Sequence, residues 1–214
     1  MRQWNLVAAL GATLLCCSCA FLTADEKKDE GKKVDLQVGD KAPVFESIDD
    51  EGKPWKSADL VGKKFVVVYF YPADFTSGCR AQAQKFRDNM NKLADSGVVV
   101  VGISGDAVIN HELFKKSEKL NFTLLSDEAG RVAKQFGVPL SKGGEVKPRD
   151  AKGKPILGAG GEPMVLKREV TAARWTFIIG KDGKIIYKNM KVDPALDSQQ
   201  VGTFIEELKK EESK

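Results

Sequence analysis

Short continuous apolar runs alternate along this chain with stretches whose apolar residues recur at helical spacing. Phe65 to Phe70 is an unbroken apolar and aromatic run, the pattern of a strand buried on both faces. In Arg80 to Asp95, Ala83, Phe86, Met90 and Leu93 fall on one side of a helix. Val98 to Ile103 is a second buried strand, and this strand–helix–strand order predicts a right-handed parallel crossover. Ile109 to Leu120 then reads as a helix, Phe122 to Leu125 as a short strand, and Glu128 to Phe136 as a short helix after a turn at Ser126-Asp127. Trp175 to Ile179 and Ile185 to Tyr187 flank Lys181-Asp182-Gly183-Lys184, a strong hairpin signal. Val201, Phe204, Ile205 and Leu208 give the last helix its apolar face.

The pattern is weaker at two places. Val34, Leu36 and Val38 alternate with polar residues up to a turn at Gly39-Asp40. A short strand, Phe45 to Ile48, then turns at Asp50-Glu51-Gly52-Lys53, and Ser57 to Leu60 reads as one helical turn. Ser141 to Leu166 is rich in Gly and Pro and lacks a period, so it is expected to be a long loop or a β-hairpin excursion, not a packed element. The element order predicts an α/β domain with a mixed central sheet flanked by helices.

Composition changes this picture mainly at the N-terminus. Residues 1–24 have the form of an export signal: Arg2, an apolar stretch from Leu6 to Cys17, and small residues at Ser18-Cys19-Ala20 for cleavage, with Leu22-Thr23-Ala24 as a second cleavage option. The alternative is a lipoprotein signal acylated at Cys19, which the upstream Cys16-Cys17-Ser18 fits poorly. Export to a periplasmic or extracellular space is therefore expected, with a lipid anchor as the variant. Residues 25–33 read as a charged linker and 34–214 as the domain, with the 141–166 segment inserted in it. The formal net charge of +4 is small, and Lys and Arg are interleaved with Asp and Glu. No basic stripe argues for nucleic acid.

Cysteine usage points to the chemistry. Cys16, Cys17 and Cys19 lie in the leader-like segment, so Cys79 is the one thiol of the domain. It sits where a loop turns into a helix, and unpaired N–H groups there favour a thiolate. Thr76 is placed to bring its hydroxyl to the same side of the turn. Pro72 fixes the backbone at the strand end and can shield the sulfur from water. His111, the one histidine, is far from Cys79 in sequence and reads as structural or surface. No Cys/His cluster suggests zinc or iron. Gly158-Ala159-Gly160-Gly161 lacks the Lys-Ser/Thr and the frame of a phosphate loop.

Pro72-x-x-x-Thr76-x-x-Cys79 resembles the active-site motif of the peroxiredoxins. Val38-Gly39-Asp40-Lys41-Ala42-Pro43, Tyr69-Phe70-Tyr71-Pro72, Phe86-Arg87-Asp88, Gly102-Ile103-Ser104 and Leu124-Leu125-Ser126-Asp127 are similar to the bacterioferritin-comigratory branch of that family. The similarity runs from about Val34 to Leu208.

The resemblance implies a thioredoxin-like fold and a thiol-dependent peroxidase that reduces hydrogen peroxide and organic hydroperoxides without a cofactor or metal. It implies that Cys79 is the peroxidatic cysteine and becomes a sulfenic acid. Thr76 would hydrogen-bond the peroxide and the thiolate. Arg174 would stabilise the charge on the reacting sulfur and oxygen, and Gln82 would help orient that arginine. Ser77 departs from the usual proline. Many relatives carry a resolving cysteine five residues after the peroxidatic one; here that position is Gln84. A one-Cys enzyme is expected, recycled by an external thiol such as thioredoxin, as a monomer or homodimer. Two other readings stand beside it. A thiol–disulfide oxidoreductase is disfavoured because Gln82 occupies the second position of Cys-x-x-Cys. A non-catalytic binding protein on this fold is disfavoured by the retained Pro72, Thr76, Cys79 and Arg174.

Overall fold

The computed structural model describes residues 34–213. The leader and linker expected at 1–33 lie outside the described residues. The chain forms β1 (Glu46–Asp49), β2 (Pro54–Lys56), β3 (Phe65–Phe70), α1 (Ser77–Asp95), β4 (Val98–Ser104), α2 (Val108–Glu118), β5 (Thr123–Ser126) and α3 (Arg131–Gln135). It continues with β6 (Leu140–Val146), β7 (Leu166–Ala172), β8 (Trp175–Ile179), β9 (Ile185–Asn189) and α4 (Asp197–Glu212). Seven strands make one sheet in the order β2-β1-β5-β4-β3-β8-β9, and β6 and β7 pair separately. The β3–β4 and β4–β5 pairs are parallel, while β3–β8 and β8–β9 are antiparallel. This is the expected mixed sheet between helices.

The sheet divides the core into two layers because side chains alternate across a strand. On β3, Phe65, Val67 and Tyr69 join Phe86 and Leu93 of α1 and Val201 and Ile205 of α4. Val66, Val68 and Phe70 face the other way, onto Val132 of α3, Phe136 and Phe177. All six β3 side chains are buried, and each contributes about 1.5–3 kcal/mol by leaving water. Tyr69 anchors the first layer: its ring stacks on Phe86 at 4.8 Å and Tyr71 at 5.4 Å, with the Phe122 edge at 6.1 Å.

Val34 to Val38 leads irregularly into the expected turn, where Gly39 takes a φ of 100°. Two expectations need correction. The helix expected from Glu128 starts only at Arg131. Asp127 accepts from the amides of Val132 and Ala133, and Gly130 occupies the left-handed N-cap position. The 141–166 segment is the β-hairpin excursion of the two expected alternatives, but a packed one: it belongs to an antiparallel arm of β6 and β7. Leu166 is buried at the base of β7, and Val146, Ile156 and Met164 pack against the first core layer. Gly143 serves close approach: a Cβ there would fall 1.9 Å from the Arg168 carbonyl across the arm. The segment is rich in glycine and lacks the apolar periodicity that marks a strand.

Gly102 of β4 lies between Tyr69 of β3 and Leu124 of β5. A Cβ there would come within 2.6 Å of the Tyr69 hydroxyl and 2.9 Å of Leu124 Cδ2. Gly102→Ala should cost about 1–3 kcal/mol through overpacking. Denaturant unfolding should show a lower midpoint with an unchanged slope. An unmoved midpoint would show that the ring yields freely.

Candidate active site

β3 delivers the chain to the carboxyl edge of the sheet, and a tight loop then turns it into α1. Tyr71, Ala73, Asp74 and Phe75 of that loop are buried, Pro72 is half-buried, and Thr76 is the N-cap of α1. Cys79 is therefore the third residue of the helix, which begins three residues before the start that Arg80 suggests. Its thiol is buried, with the residue 1% exposed.

Arg174 comes from the other side. It directly precedes β8, whose Trp175 pairs with Phe70 at the end of β3. That register carries the guanidinium over the first turn of α1. Nη2 donates to Cys79 Sγ at 3.1 Å, and Nη1 donates to Gln82 Oε1. Gly78 lies beneath: a Cβ there would sit 3.4 Å from Nη2 and 3.6 Å from Pro194.

The line of hydrogen bonds continues inward. Gln82 Nε2 donates to Asp197 Oδ2 at 2.7 Å, and Thr176 Oγ1 donates to the same oxygen at 2.8 Å. Burial raises the Asp197 carboxyl above its ordinary value, against the opposing pull of Gln82, Thr176 and Arg174. Asp197 and Thr176 are absent from the sequence reading. Asp197 opens α4, more than a hundred residues from Gln82, and nothing local signals the contact.

Of the residues singled out from sequence, Cys79, Arg174 and Gln82 come together. Thr76 adjoins them, with its hydroxyl donating to the Ala73 carbonyl at 3.1 Å. His111, far from Cys79 in sequence, is the structural and not the surface histidine of the two alternatives: it is fully buried against the same loop, with Nδ1 2.8 Å from Asp74 Oδ2. Gln84 points from the next turn of α1 to Glu118 at 2.7 Å. Glu118 is buried and also meets Arg80 Nε at 3.1 Å. Arg80 reaches on to the backbone carbonyls of Arg149 and Asp150, tying α1 to the arm. Among the described residues no group of three or more His, Cys, Asp or Glu is gathered to hold a metal ion.

Comparison with known proteins gives the chain's likenesses. Residues 38–188 match the model of the AhpC/TSA family. A Coxiella burnetii protein named peroxiredoxin bcp is 40% identical over 160 residues, covering 74% of this chain and 92% of that protein. The chloroplastic peroxiredoxin Q of Sedum lineare is 52% identical over 101 residues, covering 47% of this chain and 54% of that one. The chain thus spans about half the length of that plant relative. The crystal structure of peroxidoxin BcpB from Mycobacterium tuberculosis superposes with a TM-score of 0.63 at 28% identity, covering 80% of this chain and 97% of that one. A cysteine variant of Xylella fastidiosa PrxQ shares the fold at a TM-score of 0.63 and 19% identity, covering 81% and 97%.

Gln82→Leu removes the partner that Arg174 and Asp197 share. It should destabilise the protein by about 1–3 kcal/mol, since the buried Asp197 and the half-buried Arg174 each lose a bond. It should also slow alkylation of Cys79 by iodoacetamide, read by intact mass against time. Unchanged stability and alkylation would show that Arg174 is held by other means.

Proposed function

We infer the chemistry of this site from one premise: the chain belongs to the AhpC/TSA family and is a peroxiredoxin of the bcp and peroxiredoxin Q kind. It is a thiol-dependent peroxidase, an oxidoreductase that acts on hydroperoxides. The observation that carries the residue roles is the Arg174 Nη2 to Cys79 Sγ contact of 3.1 Å in the first turn of α1.

In this reading Cys79 is the nucleophile. Its sulfur attacks the terminal oxygen of the hydroperoxide, the O–O bond breaks, and the departing oxygen leaves as water or an alcohol after taking up a proton. Sulfur is oxidised to sulfenic acid and the peroxide is reduced. Arg174 stabilises negative charge on sulfur and then on the oxygens of the breaking bond, where a preorganised donor is most effective. Gln82 holds the other arm of the guanidinium, so the donor does not swing away between turnovers. The Thr76 hydroxyl donates its proton to Ala73 and keeps lone pairs free to accept the hydroperoxide proton. Pro72, half-buried at the strand end, limits water around the sulfur.

Recycling needs a thiol from outside the domain. The position that would supply a resolving cysteine is Gln84, engaged with Glu118, and no cysteine follows Cys79. A thiol such as that of thioredoxin attacks the sulfenic sulfur, releasing water and forming a mixed disulfide. A second thiol then regenerates Cys79. Hydrogen peroxide and organic hydroperoxides are the proposed substrates, and a monomer or homodimer the working form. The export-like segment 1–24 supports a place outside the cytoplasm for this activity.

Stopped-flow mixing with hydrogen peroxide tests the reading. Wild type should consume one equivalent without added thiol and form a sulfenic acid that a dimedone trap captures on Cys79; Cys79→Ser should do neither. Arg174→Ala should slow the step by about a hundredfold or more. Oxidation of wild type no faster than a free thiol would defeat the peroxidase reading. An unimpaired Arg174→Ala would remove Arg174 from its role.

A further inference from the structure

The loop that presents Thr76 and Cys79 contains one strained residue. Phe75 takes a φ of 60°, a left-handed conformation that a bulky side chain keeps only where its surroundings impose it. The surrounding ties converge on its neighbour, Asp74, which is fully buried. Asp74 Oδ1 accepts from the Tyr71 hydroxyl at 2.8 Å, and Oδ2 pairs with His111 Nδ1 at 2.8 Å. The Asp74 amide donates to Asp106 Oδ2 at 2.9 Å, an oxygen that Ser104 Oγ also reaches at 2.7 Å. The bond from Thr76 Oγ1 to the Ala73 carbonyl spans Asp74 and Phe75, so the direction of the Thr76 hydroxyl depends on how Asp74 is held.

We propose that His111 is a positioning residue for the peroxide site: its buried ion pair with Asp74 holds the Ala73–Thr76 loop in the shape that presents Thr76 and the first turn of α1. The proposal rests on the peroxidase reading. Two carboxylates, Asp74 and Asp106, share this buried cluster, and a buried charge without a partner is strongly disfavoured. His111 of α2 supplies the partner for Asp74 from outside the loop. The groups that face His111 are Asp74 and Tyr71 from the β3–α1 loop, Asp106 from the β4–α2 loop, and the Leu125 backbone of β5. Arg168 of β7 is bridged through its backbone to Asp106, but its Nε donates to Thr171.

Burial opposes charge on His111, yet Asp74 and then Asp106 outweigh it and hold the imidazole above its ordinary pKa. The sign follows. The ion pair is fully present below the ordinary histidine value of 6.5 and is lost as pH rises through the raised one.

The test compares two reactions of the same sulfur: oxidation by hydrogen peroxide, which uses Thr76 and the loop, and alkylation by iodoacetamide, which does not. The ratio of their rates is the readout. His111→Leu should lower this ratio about tenfold or more, as misplacement near a reacting centre does. Adding Asp74→Asn removes the stranded charge, and the Asp74→Asn/His111→Leu double variant should recover to within about threefold of wild type. The wild-type ratio should also fall as pH rises through the His111 titration, and the double variant should not show that fall. A ratio unmoved by His111→Leu, or a double variant no better than the single one, overturns the proposal. Should His111→Leu not fold, a wild-type ratio that stays flat with pH overturns it equally. Slow oxidation of wild type itself would defeat the peroxidase reading instead, so the two failures are distinguishable.

Discussion

Arg174 spends its two terminal nitrogens on two different tasks: Nη2 faces the sulfur of Cys79, and Nη1 is held by Gln82. The rest of the site is arranged around that fork. The register of β8 on β3 sets where Arg174 leaves the sheet. A slip of one residue would turn its side chain to the other face. Gln82 can hold Nη1 only because Asp197, brought in by α4, holds the far side of its amide. The sheet register, the first long helix and the last helix therefore meet in one guanidinium.

The cost of this arrangement is buried polarity. Asp74, Asp106, Gln82, His111, Thr176 and Asp197 are all buried around the site. Each has at least one side-chain or backbone partner, although among the described residues His111 Nε2 and Asp197 Oδ1 have none, and the bonds that are made specify one geometry. The network lies in two lobes. One, through Gln82 and Asp197, fixes the arginine above the sulfur. The other, through Asp74 and His111, fixes the loop below it. The aromatic stack of Tyr69, Tyr71 and Phe86 lies under the loop, and Tyr71 links it to the second lobe by its hydroxyl.

The local part of this design was legible in the sequence. The apolar run from Phe65 to Phe70 read directly as a buried strand because both its faces are covered. The helical spacing of Ala83, Phe86 and Leu93 marked α1. The Pro72-Thr76-Cys79 spacing and its collinear neighbours pointed to the family, and through it to Arg174. The contacts that cross the chain were not legible. Asp197, Thr176 and the pairing of His111 with Asp74 join residues brought together only by the sheet order, and no periodicity encodes them. The arm from Leu140 to Ala172 was obscured for another reason: it is rich in glycine, of which Gly143 is needed for close strand approach, and its exposed strand positions give no pattern that signals burial.

Replacement of Arg174 by lysine tests the fork itself. Lysine keeps the positive charge but has one nitrogen centre, so it cannot serve Gln82 and Cys79 in the same planar geometry. Stopped-flow oxidation of Arg174→Lys by hydrogen peroxide should remain within about tenfold of the Arg174→Ala rate, well below wild type. A lysine variant that oxidises at the wild-type rate would show that charge alone suffices, and that the two-armed guanidinium is not the constraint on which this site depends.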